Sequence, residues 1–158
     1  MISTAFTIIR ADLEQLDLLA PLFDGYRQFY GQRSDVAGSR QFLFERLTAL
    51  ESVIFLAEQN GRGWGFTQLY PSFSSVSMQR LWILNDLFVA PEARGQGVGE
   101  ALLERARVFG VAAGAKELQL STATTNTTAQ RLYERFGYER DDDFYSYTLP
   151  LPRKRSEM

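Results

Sequence analysis

The chain has 158 residues, 45% hydrophobic and 13% aromatic, and its 17 basic and 19 acidic side chains leave a formal net charge of −2. That is enough chain for one domain with a self-sufficient core. It holds no Cys and no His, which excludes disulfide frameworks, thiolate nucleophiles, Cys-ligated zinc, two-His metal sites, Ser-His-Asp triads and imidazole proton shuttles. Acid–base work must fall to carboxylates, Tyr, Lys, water or the substrate. The acidic balance gives no footprint for nucleic-acid phosphates, and only Lys116 and Lys154 are lysines. No long apolar run marks a signal peptide or a membrane span, so the expectation is a cytoplasmic soluble protein with neither nucleic acid nor membrane as partner.

In chain order, Thr4–Arg10 is β-branched and aromatic and predicts a strand. Asp12 is placed to cap a helix on which Leu16, Leu19, Ala20 and Phe23 recur at helical spacing, with Tyr26, Phe29 and Tyr30 continuing the face to Gly31. Gly38-Ser39 separates a second helix, Arg40–Leu50. Val53–Glu58 reads as a strand, and Asn60-Gly61 predicts a hairpin back through Trp64–Tyr70. Pro71–Ser77 reads as a polar loop, and Leu81–Val89 as a central strand covered on both faces.

Glu100–Ala113 is an amphipathic helix ended by Gly114, and Glu117–Thr122 is a further strand. Asn126 caps a short helix that stops at Gly137. Tyr138–Arg140 and Phe144–Leu149 predict a closing hairpin, and Pro150–Met158 a frayed tail. With no repeat and no internal linker, residues 1–150 read as a single mixed α/β domain around a largely antiparallel sheet. The pair 81–89 and 117–122 is parallel because a helix crosses between its strands.

The segment that carries chemistry is Arg94-Gly95-Gln96-Gly97-Val98-Gly99, between the apolar strand and the long helix. Glycines at alternate positions free the backbone for positive φ, and the N–H groups of such a turn and of the helix start form a concave anion site suited to a diphosphate. The bland alternative is a strand-to-helix turn with no ligand. A phosphate loop of the Walker type needs Gly-Lys-Ser/Thr, but Glu100 and Ala101 follow Gly99. The dinucleotide fingerprint needs a glycine at position 100, which is Glu.

The same run resembles the Arg/Gln-x-x-Gly-x-Gly/Ala pyrophosphate loop of the GNAT N-acetyltransferase superfamily. Leu84–Val89 followed by Ala90-Pro91-Glu92 is similar to the strand and exit that precede that loop, and Asn126 to Tyr138 (NTTAQRLYERFGY) is similar to the family's second signature. The likeness spans residues 5–149 and looks closest to the small histone/polyamine/D-amino-acid acetyltransferase branch.

The resemblance implies the GNAT fold, with a splayed parallel strand pair, and acetyl-CoA as cofactor. Arg94, Gly95, Gln96, Gly97, Val98, Gly99 and Glu100 would hold the diphosphate, mostly through backbone amides. The freed backbone of Leu87, Phe88 and Val89 would pair with pantetheine and polarise the thioester carbonyl. Asn126 and Ala129 would touch the cofactor, and Tyr133 would protonate the departing thiolate.

Direct attack by an amine needs no enzyme nucleophile, so the inventory allows it. The amine must be neutral, however, and with a pKa near 10.4 only about one molecule in 10³ is neutral at pH 7. Asp86 is the candidate base, or else a structural acceptor bracing the strand. Polyamine acetyltransferases carry Glu-Asp where this chain has Asn85-Asp86, and Asn is no base.

Tyr26, Phe29, Tyr30 and Tyr70, with Asn85, stand where the fold builds an acceptor pocket. Aromatic faces suit an ammonium, and equally suit core packing. Tyr133 has the same bland reading. Asp141-Asp142-Asp143 is a solvated turn or a lure for a cation.

The leading expectation is transfer of acetyl from acetyl-CoA to a primary amine (a small amine, polyamine or amino acid) in a ternary complex, by a homodimer. A peptide or protein lysine acetyltransferase and a non-catalytic acyl-CoA sensor are the alternatives.

Overall fold

The computed structural model describes residues 5–153, which fall into two compact units, one ending at Thr124 and the other beginning at Thr125. In the first, strand β1 (Thr7–Arg10) leads to Asp12, whose carboxylate accepts from Glu14 N while Gln15 returns a bond to the Asp12 amide. This capping box opens a short 3-10 turn that continues as α1 (Leu16–Phe29). The helix buries Leu16, Leu19, Ala20, Leu22 and Phe23, the face its periodicity predicts. Thr4, at the start of the expected first strand, lies outside the described residues.

Helix α2 runs Val36–Thr48 and not from Arg40. Asp35 is the cap: it accepts from Gly38 N at 2.9 Å, and a Cβ at Gly38 would stand 2.3 Å from the Asp35 carboxylate. Gly38 therefore belongs to the first turn of the helix instead of breaking it.

The sheet has the order β1-β2-β3-β4-β5, with β2 Val53–Gln59, β3 Arg62–Ser74, β4 Gln79–Val89 and β5 Glu117–Gln119. All neighbours are antiparallel except β4 and β5. Asn60 and Gly61 both take positive φ (51° and 72°), which closes the β2–β3 hairpin as expected.

Two expectations need correction. Pro71–Ser74 is strand, not loop, because each of these residues finds a partner in β4. And β4 is not covered on both faces: its residues Leu87 to Val89 are only half-buried, while Val53 to Ala57 of β2 form the fully buried strand. Helix α3 (Val98–Ala112) crosses from β4 to β5 and buries Val98, Leu102, Leu103 and Ala106; Gly114 follows in the left-handed conformation.

In the second unit Asn126 caps α4 (Thr127–Phe136) by accepting from Ala129 N at 3.2 Å, and Gly137 ends it at φ 111°. The expected closing hairpin is absent: residues 138–153 form no strand. Its turn exists, since Asp141 accepts from Asp143 N and Arg140 pairs with Asp142. The alternating Tyr145, Tyr147 and Leu149, however, are 90%, 92% and 81% exposed. An alternating pattern specifies a strand only when one face has a surface to bury against. The expected frayed tail lies partly outside the described residues, which end at Arg153. No helix among the described residues is long and apolar enough to cross a membrane.

Candidate active site

The site begins with an opening in the sheet. β5 pairs with β4 only at Leu81, Trp82 and Ile83, while β4 runs on to Val89 beside β3. Past Ile83 the edge of β4 that faced β5 is free of that ladder, so the parallel pair splays as expected. Expected strand residues 120–122 are outside β5, which stops at Gln119.

Just inside the opening β4 bulges. Gln68 faces Asp86 and Leu69 faces Leu84, so Asn85 is skipped in the register. A bulge turns backbone out of the ladder and re-aims side chains. Here the Asn85 carbonyl accepts from the Tyr26 hydroxyl of α1 at 3.1 Å. Asp86 points inward and is 1% exposed. Its Oδ2 accepts from Gln68 Nε2 at 2.6 Å and its Oδ1 from Asn85 Nδ2 at 2.7 Å, and the Tyr26 phenol lies close enough to stabilise its charge. Thr67 Oγ1 fixes the Asp86 main chain by donating to its carbonyl at 2.8 Å.

Burial raises the Asp86 pKa above the ordinary carboxylate value, because the amides and phenol around it bring dipoles but no positive charge to offset desolvation. Burial and the nearby Asp86 charge likewise push the Tyr26 and Tyr70 hydroxyls well above the usual 10.0. The Tyr26 and Tyr30 rings meet edge-on at 5.1 Å, one helical turn apart, and Phe29 lies 5.2 Å from Tyr30. Tyr26 and Tyr70 thus lie within electrostatic reach of one carboxyl group, and Tyr30 packs on Tyr26. A separate cleft of about 400 Å³ is lined by Gly25, Arg62, Phe88 and Glu92 among others, and excludes Tyr26, Asn85 and Asp86.

Beyond Val89 the loop leads into the start of α3. Gly95 and Gly97 take φ 77° and 82°, and Gly97 is the N-cap of α3, supplying no side-chain oxygen to the first-turn N–H groups. Gly99 differs from expectation, lying inside the helix without positive φ. Arg94 Nε donates to Val89 O at 3.1 Å and its guanidinium lies over the Phe88 ring, so Arg94 straps the loop to the end of the strand. An uncapped helix start behind two left-handed glycines is chemically fit for a diphosphate.

Comparison with known proteins agrees with this geometry. The model of the acetyltransferase (GNAT) domain matches residues 51–140. The chain belongs to the GNAT acetyltransferase family. This GNAT enzyme is 54% identical over 136 residues to an uncharacterized N-acetyltransferase, YhfO, of Bacillus subtilis (strain 168), covering 86% of this chain and 91% of the relative. The crystal structure of a probable acetyltransferase is similar with a TM-score of 0.88 at 49% identity, over 94% of this chain and 99% of the other. At 14% identity, a predicted acetyltransferase with acetyl-CoA from Clostridium acetobutylicum shares the fold with a TM-score of 0.74, over 91% and 96% of the two chains.

In the acetyltransferase's second unit, Tyr133 is half-buried on α4 with its ring 5.9 Å from that of Tyr138, whose hydroxyl is pushed up to about 12 by burial and by Tyr133. Asn126 and Ala129 bond to each other at the helix start, so Asn126 has a capping role of its own. Sequence reasoning missed Gln68 and Thr67. The signal was present: Gly65–Pro71 places two adjacent polar residues in the middle of a strand, and one of any two neighbours must point into the sheet's buried face.

Proposed function

We propose that this acetyltransferase moves the acetyl group of acetyl-CoA onto a primary amine by direct attack in a ternary complex. The observation that carries the reading is the buried Asp86 carboxyl at the bulge of β4, walled by Tyr26 and Tyr70 beside the splayed strand edge. Aromatic faces and a carboxylate attract a cationic ammonium, and a carboxyl with a raised pKa suits proton removal near neutrality.

Acetyl-CoA supplies an acetyl group activated as a thioester. Leu87, Phe88 and Val89 offer main-chain partners to the pantetheine arm, and Gly95 to Glu100 offer N–H groups to the diphosphate. Asn126 and Ala129 are the expected contacts from the second unit. Tyr133 is the group we assign to protonate the leaving thiolate, and Asp86 the group that ultimately holds the amine's proton. The exposed Tyr145, Tyr147 and Leu149 support a homodimer, which sizing chromatography tests.

The deciding experiment offers acetyl-CoA with monoamines, diamines, amino acids and a lysine peptide. Free CoA is followed, and products are weighed for an acetyl gain. Turnover on a small amine, lowered on the order of tenfold or more by Tyr133→Phe, is the expected result. Acetylation of the peptide alone would move the acceptor to protein lysine. A rise in melting temperature with acetyl-CoA but no turnover would indicate a sensor.

A further inference from the structure

We propose that the Tyr26 hydroxyl, and not Asp86, touches the acceptor amine, and that it passes the amine's proton to Asp86 with Gln68 as the positioning residue for that carboxyl. The inference rests on the amine-acetylation reading and names the atoms that move its proton.

Burial decides against direct contact. Asp86 is 1% exposed, Gln68 is fully buried, and both carboxylate oxygens already accept side-chain amides. Each oxygen keeps a further lone pair, but at 1% exposure no open path leads a substrate nitrogen to it. Tyr26 is only half-buried, belongs to the aromatic wall, and donates its hydroxyl proton to the Asn85 carbonyl at 3.1 Å beside the Asp86 charge, so a turn of the O–H re-aims it at the carboxylate. A hydroxyl accepts one hydrogen bond while donating another, so it can receive a proton and release its own in the same event. That concertedness matters because burial and Asp86 make a free Tyr26 phenolate costly.

Gln68 completes the device. Its Nε2 serves the ionised carboxylate, while its Oε1 is buried without a partner among the described residues. A turn of the carboxamide exchanges the two atoms, so Oε1 can accept from Asp86 once that group carries a proton. The network can therefore satisfy the carboxyl in both states. The other titratable groups around the pair are Tyr30 at the end of α1, which acts on Tyr26, and Tyr70 of β3, which faces Asp86 and also feels the Arg46 charge of α2.

The protons balance. An ammonium N–H bond breaks toward the Tyr26 oxygen, leaving the nitrogen its lone pair. The Tyr26 O–H proton goes to Asp86, so the carboxylate becomes an acid and Tyr26 ends neutral. The nitrogen lone pair forms the C–N bond and the C–S bond breaks. Sulfur keeps that electron pair and takes the Tyr133 proton. The amide nitrogen loses its second proton to solvent, from which Tyr133 is restored. Asp86 returns its proton through Tyr26 to solvent, for a net release of one proton per turnover.

The test compares the wild type with Tyr26→Phe, Asp86→Asn, the double variant and Gln68→Met on the best amine of the panel, across the neutral pH range. Tyr26→Phe should lower kcat on the order of 10²-fold. The amine KM and the acetyl-CoA-induced rise in melting temperature should stay unchanged. Asp86→Asn should lower kcat comparably, and the double variant should be no worse than the poorer single, as for groups acting as one unit. Gln68→Met should move the acid limb of the kcat profile to higher pH.

A Tyr26→Phe enzyme with full kcat and only a raised amine KM would overturn the relay and leave the acetylation reading standing. Multiplicative losses in the double variant would do the same. A wild type that acetylates no amine would bring down the reading and the relay together. Should Asp86→Asn fail to fold, the kcat of Tyr26→Phe still decides, since that change keeps the ring in place.

Discussion

Two buried aspartates stand on the same unit and teach opposite lessons. Asp24, in α1, is 3% exposed, and Asp86, at the bulge of β4, is 1% exposed. Burial pushes both carboxyls up. Asp24 nevertheless ends below the ordinary value of 3.8, because it accepts from Asp35 N at 2.6 Å, Ser34 Oγ at 2.7 Å and Gln28 Nε2 at 2.9 Å, with the Arg27 charge close by. Asp86 has no cation among its neighbours within the described residues and ends above 3.8. Equal solvent exposure therefore does not mean equal chemistry, the more so because far more protein surrounds Asp86 than Asp24. The charged partner and the main-chain donor make Asp24 a fixed anion that pins the α1–α2 corner, and their lack leaves Asp86 able to take a proton.

The largest expected effect separates the two by activity. Asp86→Asn should cut turnover by roughly 10²- to 10⁴-fold, the range for losing an acid–base group, while Asp24→Ala should leave the rate per folded molecule intact. Equal losses of turnover in the two variants would erase the distinction.

Stability should show the reverse order. Asp24→Ala orphans three donors, and hydrogen bonds to a charged group are worth about 1.5–3 kcal/mol each before any relaxation. A net loss of roughly 2–4 kcal/mol in denaturant unfolding is expected, the upper part of the usual range for point mutations.

Acid melts sharpen the same contrast. The folded Asp24 carboxyl ionises below 3.8, so its stabilisation is complete above that pH and is lost as pH falls through the folded value. The folded Asp86 carboxyl ionises above 3.8, so its contribution is complete below that pH and is lost as pH rises through the folded value. Melting curves should therefore show the gap between Asp24→Ala and wild type closing in acid. The gap for Asp86→Asn should widen there.

The smallest effect provides a baseline. Asn126 accepts a single bond at 3.2 Å, so Asn126→Ala should cost about 1 kcal/mol as an ordinary lost helix cap. A cost equal to that of Asp24→Ala would mean that the three donors on Asp24 count for little.

Much of the fold was legible because its signals are local. Asp12 and Asn126 announce helix starts, Asn60-Gly61 a two-residue turn, and the stripe of Leu16, Leu19, Ala20 and Phe23 a buried helix face. Expectations failed where a local pattern depended on a distant surface. Gly38 resembles a breaker until Asp35 occupies the space its side chain would need. Tyr145 and Tyr147 alternate like a strand, yet they find no face to cover.

In the candidate site, glycine spacing marked Arg94 to Gly99 as an anion turn, and the family resemblance added Glu100 and pointed to Tyr26, Tyr30 and Tyr70 as an acceptor wall. Gln68 could not be paired with Asp86, because only the register of β3 against β4 brings residues 18 positions apart into contact.

By itself the sequence determined the chemistry that is possible: without Cys or His, proton transfer is left to carboxylates, Tyr, Lys, water or the substrate, and a glycine-rich turn before a helix offers main-chain donors to an anion. Only the tertiary structure decided which of those groups come together. Skipping Asn85 in the β3–β4 ladder turned its carbonyl toward Tyr26 and sank Asp86 beside Gln68. Residue type sets what a side chain can exchange, but its depth and neighbours set whether it can reach the substrate and what its charge costs there.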